Sequence, residues 1–597
     1  MNLKHRKFNY KTNQSNILLL LIIFLFSSIT GRLFWLQIIR GSFYRKLSDE
    51  NRIRLVSNPP IRGKIISANG RLLADNKLRF NLILQPHLVD KIKLPILLSR
   101  LSNLLKVDLE DLEYSYKQGI LNNQFSINLL YDLSNIQVLK FKELASTFVG
   151  AQIQTESVRY YPNKNWASHV LGYTQSINLD EYRRLYKQGY KMNDVIGRIG
   201  LEAAFEKHLR GKWGGEMLEV NASGKIQRSL GFESPKAGND LQVTLDFDLQ
   251  NIAEDVLADK VAGAIVALDP NTGAIKAMAS KPGFDPNFFT RSLRTEKEYK
   301  EIFLSNNSPL FSRALNAYDP GSTWKIVTGM AGMETGKFPP NIILKTASCI
   351  KYGGHCFPEH NRKGWGAIGY EDAFRVSSNT FFYQVGVGVG IDELYKVAIQ
   401  LGFNKHTGVE IGAEESKGFV GNKEWASRGR GWGRPGSTPW IPEDIASASI
   451  GQAVVQVTPL QLARAYAVFA NGGYLITPHF VDGDIDWMSS RYRTKVDIKA
   501  STLETIREGL RRVVDSGTGR NLTWNLPTLP PAAGKTGTAE DSTGGQDHAW
   551  FACFAPFESS EIVIVAFAQN TPGGGSVHAL PMAQKILQKW HEKYTSN

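Results

Sequence analysis

Residues 532–568 contain Ala532-Ala533-Gly534-Lys535-Thr536-Gly537-Thr538, then His548-Ala549-Trp550-Phe551-Ala552-Cys553-Phe554-Ala555, then Ile562-Val563-Ile564-Val565-Ala566-Phe567-Ala568. The last two are apolar runs rich in β-branched and aromatic residues with turn residues between them, which predicts two strands. Lys535, Thr536, Gly537 and Thr538 then form a third strand beside them, at the sheet edge. Gly537 in that strand lets another backbone come close, and an edge strand can pair with an extended peptide. Further upstream, Ala264-Ile265-Val266-Ala267-Leu268, Asp269-Pro270-Asn271-Thr272-Gly273 and Ala274-Ile275-Lys276-Ala277-Met278 read as strand, turn, strand. A sheet that begins with two strands and ends with three must hold everything between as an insertion, and that insertion is helix-rich. The amphipathic stretch 582–594 is expected to close over the sheet as a helix.

The insertion carries two polar motifs. Ser322-Thr323-Trp324-Lys325 follows Asp319-Pro320-Gly321 and opens an apolar run through Ile326, Val327, Met330, Ala331 and Met333 that stops at Gly336. This predicts a helix with Ser322 in its first turn, where N–H groups lack intrahelical partners and the dipole favours negative charge. Lys325, three residues on, projects from the same face. An ordinary lysine is protonated at neutral pH, but desolvation lowers its pKa, and a neutral Lys325 would serve as general base toward a Ser322 nucleophile. Ser377-Ser378-Asn379 precedes Thr380-Phe381-Phe382-Tyr383-Gln384-Val385, a loop or helix start. Ser377 is expected to relay a proton to a leaving amine, and Asn379 to hold Lys325 and a substrate carbonyl. The N–H groups of Thr538 and Ser322 are candidates for an oxyanion hole. Lys535 and Thr536 are the natural contacts for a substrate carboxylate.

The ordered set S-x-x-K, S-x-N, K-T-G resembles the penicillin-recognising serine acyltransferases: penicillin-binding proteins, DD-peptidases and serine β-lactamases. Ser449-Ile450-Gly451-Gln452 with Thr458-Pro459-Leu460-Gln461-Leu462-Ala463 looks like a run in the transpeptidases. Asn51-Arg52-Ile53-Arg54, Pro59-Pro60-Ile61-Arg62-Gly63, Asn69-Gly70-Arg71-Leu72-Leu73-Ala74 and Gly197-Arg198-Ile199-Gly200-Leu201-Glu202 are similar to the non-catalytic domain of class B members, with the elongation type the nearer match. Ser67-Ala68 and Ala453 depart from that pattern.

With 597 residues there is room for more than one domain, and a formal net charge of +14 points to an anionic neighbour. No helix-turn-helix, zinc-finger or RNA-binding signature supports nucleic acid, which leaves a membrane face. Residues 17–26 are unbroken apolar sequence, extended by 33–39, with Lys4, Arg6, Lys7 and Lys11 before them. That is long enough to span a bilayer with the first residues cytoplasmic. The expected organisation is a basic tail (1–16), a transmembrane helix (17–39), an elongated α+β pedestal (40–240) and a catalytic domain (241–597). The resemblance implies an α+β fold class: a penicillin-binding, serine β-lactamase-like domain with a five-stranded antiparallel sheet, flanking helices and a helical insertion, behind a pedestal and a single anchor. Leu241-Gln242-Val243-Thr244-Leu245-Asp246 reads as the way into the catalytic domain.

Cys349, His355, Cys356 and His360 cluster in a Gly-rich loop, open to three readings: a zinc site, a Cys349–Cys356 disulfide or free residues. Elongation-type relatives place one metal ligand at the middle of the S-x-N motif, where this chain has Ser378. The expectation is no metal and no cofactor. Cys553 belongs to a core strand.

The resemblance implies a DD-transpeptidase of the bacterial inner membrane, its catalytic domain on the periplasmic side, that cross-links peptidoglycan stem peptides through a Ser322 acyl-enzyme during wall elongation. It implies inhibition by β-lactams, and a SEDS-family glycosyltransferase and other elongation proteins as partners. A class A β-lactamase would need a deacylating Glu in an E-x-x-x-N loop, and none lies between Asn379 and Lys535. A bifunctional enzyme would need a glycosyltransferase E-D-x-x-F near the membrane, also absent from the sequence. A DD-carboxypeptidase and an inactive scaffold are the remaining alternatives.

Overall fold

The structure, a computed structural model, describes residues 8–42, 53–122, 124, 126–192, 194–220, 226–291, 294–427, 440–482, 493–523, 526, 528–540 and 546–594. It divides into two compact units, Met1–Ile61 with Gly211–Gly238, and Arg62–Arg210 with Asn239–Asn597. In the first, the helix Phe8–Phe34 continues as a π-helical turn, Trp35–Ile39. The 24-residue stretch Asn16–Ile39 is strongly apolar and none of it is buried against protein, as expected of a helix whose side chains face lipid. Arg32 lies over the Trp35 ring, 4.6 Å from its centroid, at the C-terminal end of the helix. The same unit contains an antiparallel sheet of Ile53–Asn58, Gly214–Val220 and Ile226–Glu233. Asn51 and Arg52 lie outside the described residues.

The second unit holds the five-stranded antiparallel sheet, in the order Ile275–Lys281, Gly263–Leu268, Ile562–Ala568, His548–Ala555, Ala533–Ala539. Its three inner strands are almost entirely apolar because both of their faces are buried. On one face Val266, Trp550, Phe554 and Val565 pack against Trp324, Met330 and Tyr466 of the insertion. On the other, Ile265, Phe551, Cys553 and Ile564 meet Leu249, Leu580, Ile586 and Trp590, from the helices Phe247–Val256 and Ala579–Tyr594. Continuous burial on both sides removes the alternation of a half-exposed strand.

Residues 62–210 build a second sheet around the long strand Leu72–Leu84, paired with Ile65–Ile66, Ile127–Leu130 and Ala151–Tyr160. Leu241–Gln242 joins this sheet in parallel beside Ile65–Ile66. The stretch read from the sequence as the way into the catalytic domain therefore begins as an edge of the neighbouring sheet.

The stretches around Arg62 and Glu202 meet in a buried ion cluster. Glu202, with no exposed surface, takes Arg159 Nε at 2.6 Å, Arg62 Nε at 2.7 Å and the Tyr161 hydroxyl at 3.1 Å. Arg62 also reaches Glu206 at 2.7 Å. Removing one side of such a buried pair strands the other charge. Glu202→Ala is expected to lower the stability of the solubilised full chain by about 3–5 kcal/mol, read as the shift of its thermal unfolding. An unchanged midpoint would contradict this role for the cluster.

Candidate active site

Gly321–Trp324 forms a 3-10 turn, and the α-helix Lys325–Glu334 begins only after it. Ser322 thus stands one short turn ahead of the helix rather than within its first α-turn. Gly321 has φ +53°, and its N–H donates to the Gly451 carbonyl at 2.9 Å. Gly451, at φ +75°, comes so close that a β-carbon there would lie 2.4 Å from the Gly321 oxygen. This contact gives the Ser449-Ile450-Gly451-Gln452 run its place behind the serine turn. Trp550 Nε1 donates to the Asp319 carbonyl at 2.9 Å and the Tyr466 hydroxyl to that of Thr323 at 3.0 Å, so sheet and insertion clamp the turn from two sides. Gly321, Thr323, Trp324 and Lys325 are buried while Ser322 is partly exposed. Among the described residues the Ser322 hydroxyl makes no hydrogen bond.

Lys325 is fully buried. Its Nζ donates to the Ser377 carbonyl at 2.7 Å and to Asn379 Oδ1 at 2.8 Å, lies 3.2 Å from Ser377 Oγ, and sits 5.5 Å from the centroid of the Phe382 ring. Lys535, equally buried, donates to the same Ser377 Oγ at 2.8 Å and to the Thr536 carbonyl at 3.1 Å. Two amines thus converge on one hydroxyl. Burial brings Lys325 down to about 7, with the Glu359 carboxylate opposing the shift. Burial, and then the proximity of Lys325, push Lys535 well below the ordinary lysine range. Both effects disfavour placing two ammonium charges in a dry site.

Ser377 adopts φ +55° between the helices Tyr370–Arg375 and Asn379–Val389, and Ser378 caps the second by accepting from Phe381 N. The strand Ala533–Ala539 is the sheet edge. A β-carbon on Gly537 would lie 2.9 Å from Thr323 Cγ2 and 3.0 Å from the Pro320 carbonyl, so the absence of a side chain lets the serine turn dock on the strand. The Thr538 carbonyl faces Gly321, 2.4 Å from where a β-carbon on that residue would be. A strand residue's N–H points to the same side as its carbonyl, so the Thr538 N–H also faces the serine turn. Lys325, Ser377, Asn379 and Lys535 are therefore in direct contact, and Gly537 and Thr538, next to Thr536 on the edge strand, abut the turn that carries Ser322.

Two neighbours have no motif to announce them. Thr518, in the loop after the helix Ala500–Ser516, shares a 2.7 Å hydroxyl contact with Thr536. Glu359, fully buried, lies beneath the second motif and accepts from Ser378 Oγ at 2.6 Å and Asn379 N at 2.7 Å. The only sequence cue for Thr518 is its place between Gly517 and Gly519, and for Glu359 its neighbour His360.

Cys349 and Cys356 are bonded to each other across the hairpin Cys349–Tyr352 and His355–Pro358. This leaves two histidines as possible zinc ligands in the loop, and the Ser378 hydroxyl is engaged by Glu359. No group of three or more His, Cys, Asp or Glu among the described residues could hold a metal. The donor set does not fit zinc.

The family model for the penicillin-binding protein transpeptidase domain matches residues 263–588, and that for the penicillin-binding protein dimerisation domain matches 57–243. The chain belongs to the penicillin-binding protein transpeptidase family. It is 34% identical to the peptidoglycan D,D-transpeptidase MrdA of Acinetobacter baumannii, over 96% of this chain and 86% of that one. The MrdA of Escherichia coli K12 is 29% identical over 94% of this chain and 91% of its own length. Among solved structures, penicillin-binding protein 2 of Helicobacter pylori in complex with MreC superposes with a TM-score of 0.78 at 26% identity, covering 91% of this chain and all of that one. A chain of a peptidoglycan synthase complex that coordinates polymerization and crosslinking matches with a TM-score of 0.73 at 32% identity, covering 98% of this chain and all of the other.

In this family setting the Gly537 contact has a direct consequence. Gly537→Ala puts a β-carbon against the Pro320 backbone, which cannot swing aside, and moves Ser322 relative to the strand. Acylation by a fluorescent penicillin is expected to fall by about a hundredfold with the circular dichroism spectrum unchanged. Wild-type acylation would show that the close approach is dispensable.

Proposed function

We propose that this chain is a peptidoglycan D,D-transpeptidase of the elongation type, acting through a Ser322 acyl-enzyme. The observation that carries the reading is the fully buried Lys325 amine, held by Ser377 and Asn379 and brought to about 7, on the helix that follows a partly exposed serine. Neutral Lys325 takes the proton of Ser322 as Oγ attacks the carbonyl of a D-Ala-D-Ala terminus. The oxyanion of the tetrahedral intermediate is met by the Ser322 and Thr538 N–H groups. As the C–N bond breaks, Ser377 Oγ, in contact with both amines, passes a proton to the leaving D-Ala amine. An amine from a neighbouring stem then attacks the ester, Ser322 recovers its proton and the cross-link forms. A β-lactam opens by the same first step but retains its leaving amine.

The terminal carboxylate falls to the Thr536 and Thr518 hydroxyls, with Gly537 keeping the strand clear. Lys535 is directed at Ser377 and acts behind them: an arriving anion favours its protonated form, which in turn donates to Ser377 Oγ. The helix Asn16–Ile39 fits a single-pass anchor, with the basic residues before it on the cytoplasmic side and residues 40–240 a pedestal for a catalytic domain over 241–597. The Cys349–Cys356 disulfide supports an oxidising, periplasmic setting for that domain. A SEDS-family glycosyltransferase is the partner that the match to a peptidoglycan synthase complex supports.

Wild type, Ser322→Ala and Lys325→Ala are to be labelled with a fluorescent penicillin. Label is expected on wild type alone, since both variants lose acylation, and equal labelling of Ser322→Ala would overturn the nucleophile assignment. With a thioester donor, turnover should rise with added acceptor amine; turnover by water alone marks a carboxypeptidase instead. Because the base must be neutral, acylation should fall about tenfold per pH unit below a midpoint near 7. A midpoint above 9 would mean that Lys325 is an ordinary, protonated lysine at neutral pH and would contradict its reading as a neutral base there.

A further inference from the structure

Among the described residues Glu359 is the one fully buried carboxylate that touches the second motif, and the mechanism above gives it no step. Its Oε1 accepts from Asn379 N at 2.7 Å and His360 N at 3.2 Å, and its Oε2 from Ser378 Oγ at 2.6 Å, Thr380 Oγ1 at 2.8 Å and Thr380 N at 3.1 Å. Its own backbone is tied in place, Glu359 N donating to the Ser348 carbonyl at 2.9 Å beside the disulfide-closed hairpin. The donors at residues 378–380 begin the helix Asn379–Val389, whose first residue carries the amide that holds Lys325. A helix start offers unpaired N–H groups and a positive end, and here a full negative charge is buried against it.

We propose that Glu359 is a positioning residue for acyl transfer: it fixes the Ser378–Thr380 segment so that Asn379 Oδ1 stays on Lys325. This rests on the reading of Lys325 as the base.

Each carboxylate oxygen faces at least one backbone N–H that cannot turn away. A glutamine side chain, however oriented, sets its NH2 against one of them, so only an acceptor on both sides fits. The carboxyl is accordingly ionised: burial would raise it, but hydrogen bonds from His360, Ser378, Asn379 and Thr380 hold it near 2. It remains charged throughout the working range of the site. The charged and titratable groups around Lys325 are Glu359, which raises its pKa, and Lys535, the second amine on Ser377. Around Glu359 they are Lys325, His360 at 3.2 Å and Tyr383, whose ionisation it opposes. Removing the negative charge from this set lowers the Lys325 pKa further.

Stopped-flow acylation of the solubilised full chain by a fluorescent penicillin, followed across pH, tests this. Glu359→Gln is expected to lower the plateau rate roughly tenfold or more as Asn379 loses its fixed position, and to move the acid midpoint down by about one pH unit. A defect in folding alone would reduce the amount of active protein without moving the midpoint. Thr380→Val keeps the charge and removes one donor, and is expected to lower the plateau several-fold with the midpoint unmoved. A Glu359→Gln profile matching wild type, with labelling still dependent on Ser322, overturns the proposal and leaves the transpeptidase reading intact. If Glu359→Gln does not fold, wild-type rates in both Thr380→Val and Ser378→Ala overturn it. Labelling that survives Ser322→Ala is the separate result that would sink the underlying reading.

Discussion

Two lysine amines are buried against the hydroxyl of a single serine, and the site is organised around the cost of charging both. In water each would be an ammonium ion. Enclosed at Ser377, with 2.8 Å and 3.2 Å contacts to the same oxygen, they cannot both carry a proton without strong repulsion in a medium that screens poorly. The surroundings divide the roles. Lys325 has the Ser377 carbonyl, Asn379 and the Glu359 charge on its side, whereas Lys535 lies on the strand where an anionic substrate terminus would arrive. Substrate binding and proton distribution are thereby coupled through one hydroxyl.

Holding that arrangement requires three segments far apart in sequence to meet closely. Glycines sit at the points of contact: Gly321 against the Thr538 carbonyl, Gly451 against Gly321, and Gly537 against Pro320 and Thr323. At each, a β-carbon would enter backbone or its immediate neighbour. Two residues after Gly451, Ala453 adopts φ +69°, a left-handed conformation that glycine accepts with less strain. The sheet beneath is buried on both faces, which fixes the edge strand from below. The stability of the scaffold and the precision of the site therefore have the same origin in close packing.

Where long-range order follows from local pattern, the sequence was readable. The apolar runs 264–268, 548–555 and 562–568 could hardly be anything but strands, and the order of the three polar motifs pointed to the grouping of Lys325, Ser377, Asn379 and Lys535 that the contacts display. The 3-10 geometry at Ser322 was not readable, because it depends on a contact with Gly451 about 130 residues away. The pairing of Leu241–Gln242 with Ile65–Ile66 spans two residues on each side, too short for any periodicity. Cys349 and Cys356 were compatible with zinc or a disulfide until their sulfurs were placed. Glu359 was invisible for a different reason: a single acid beside a histidine looks like any polar loop, and its role exists only because three successive residues elsewhere turn their donors toward it.

The central claim is that burial brings the Lys325 amine into its titration range near neutral pH, so that a substantial share of it is uncharged there, and titrating that side chain directly tests it most plainly. In protein labelled at the lysine side chains, the resonance lost in Lys325→Arg identifies the group, and its shift against pH gives the protonation curve. A midpoint near 7 is the predicted result. A curve with the ordinary lysine midpoint of about 10.4 would mean that Lys325 is a cation in the resting site, and the chemistry assigned to it would have to pass to another group.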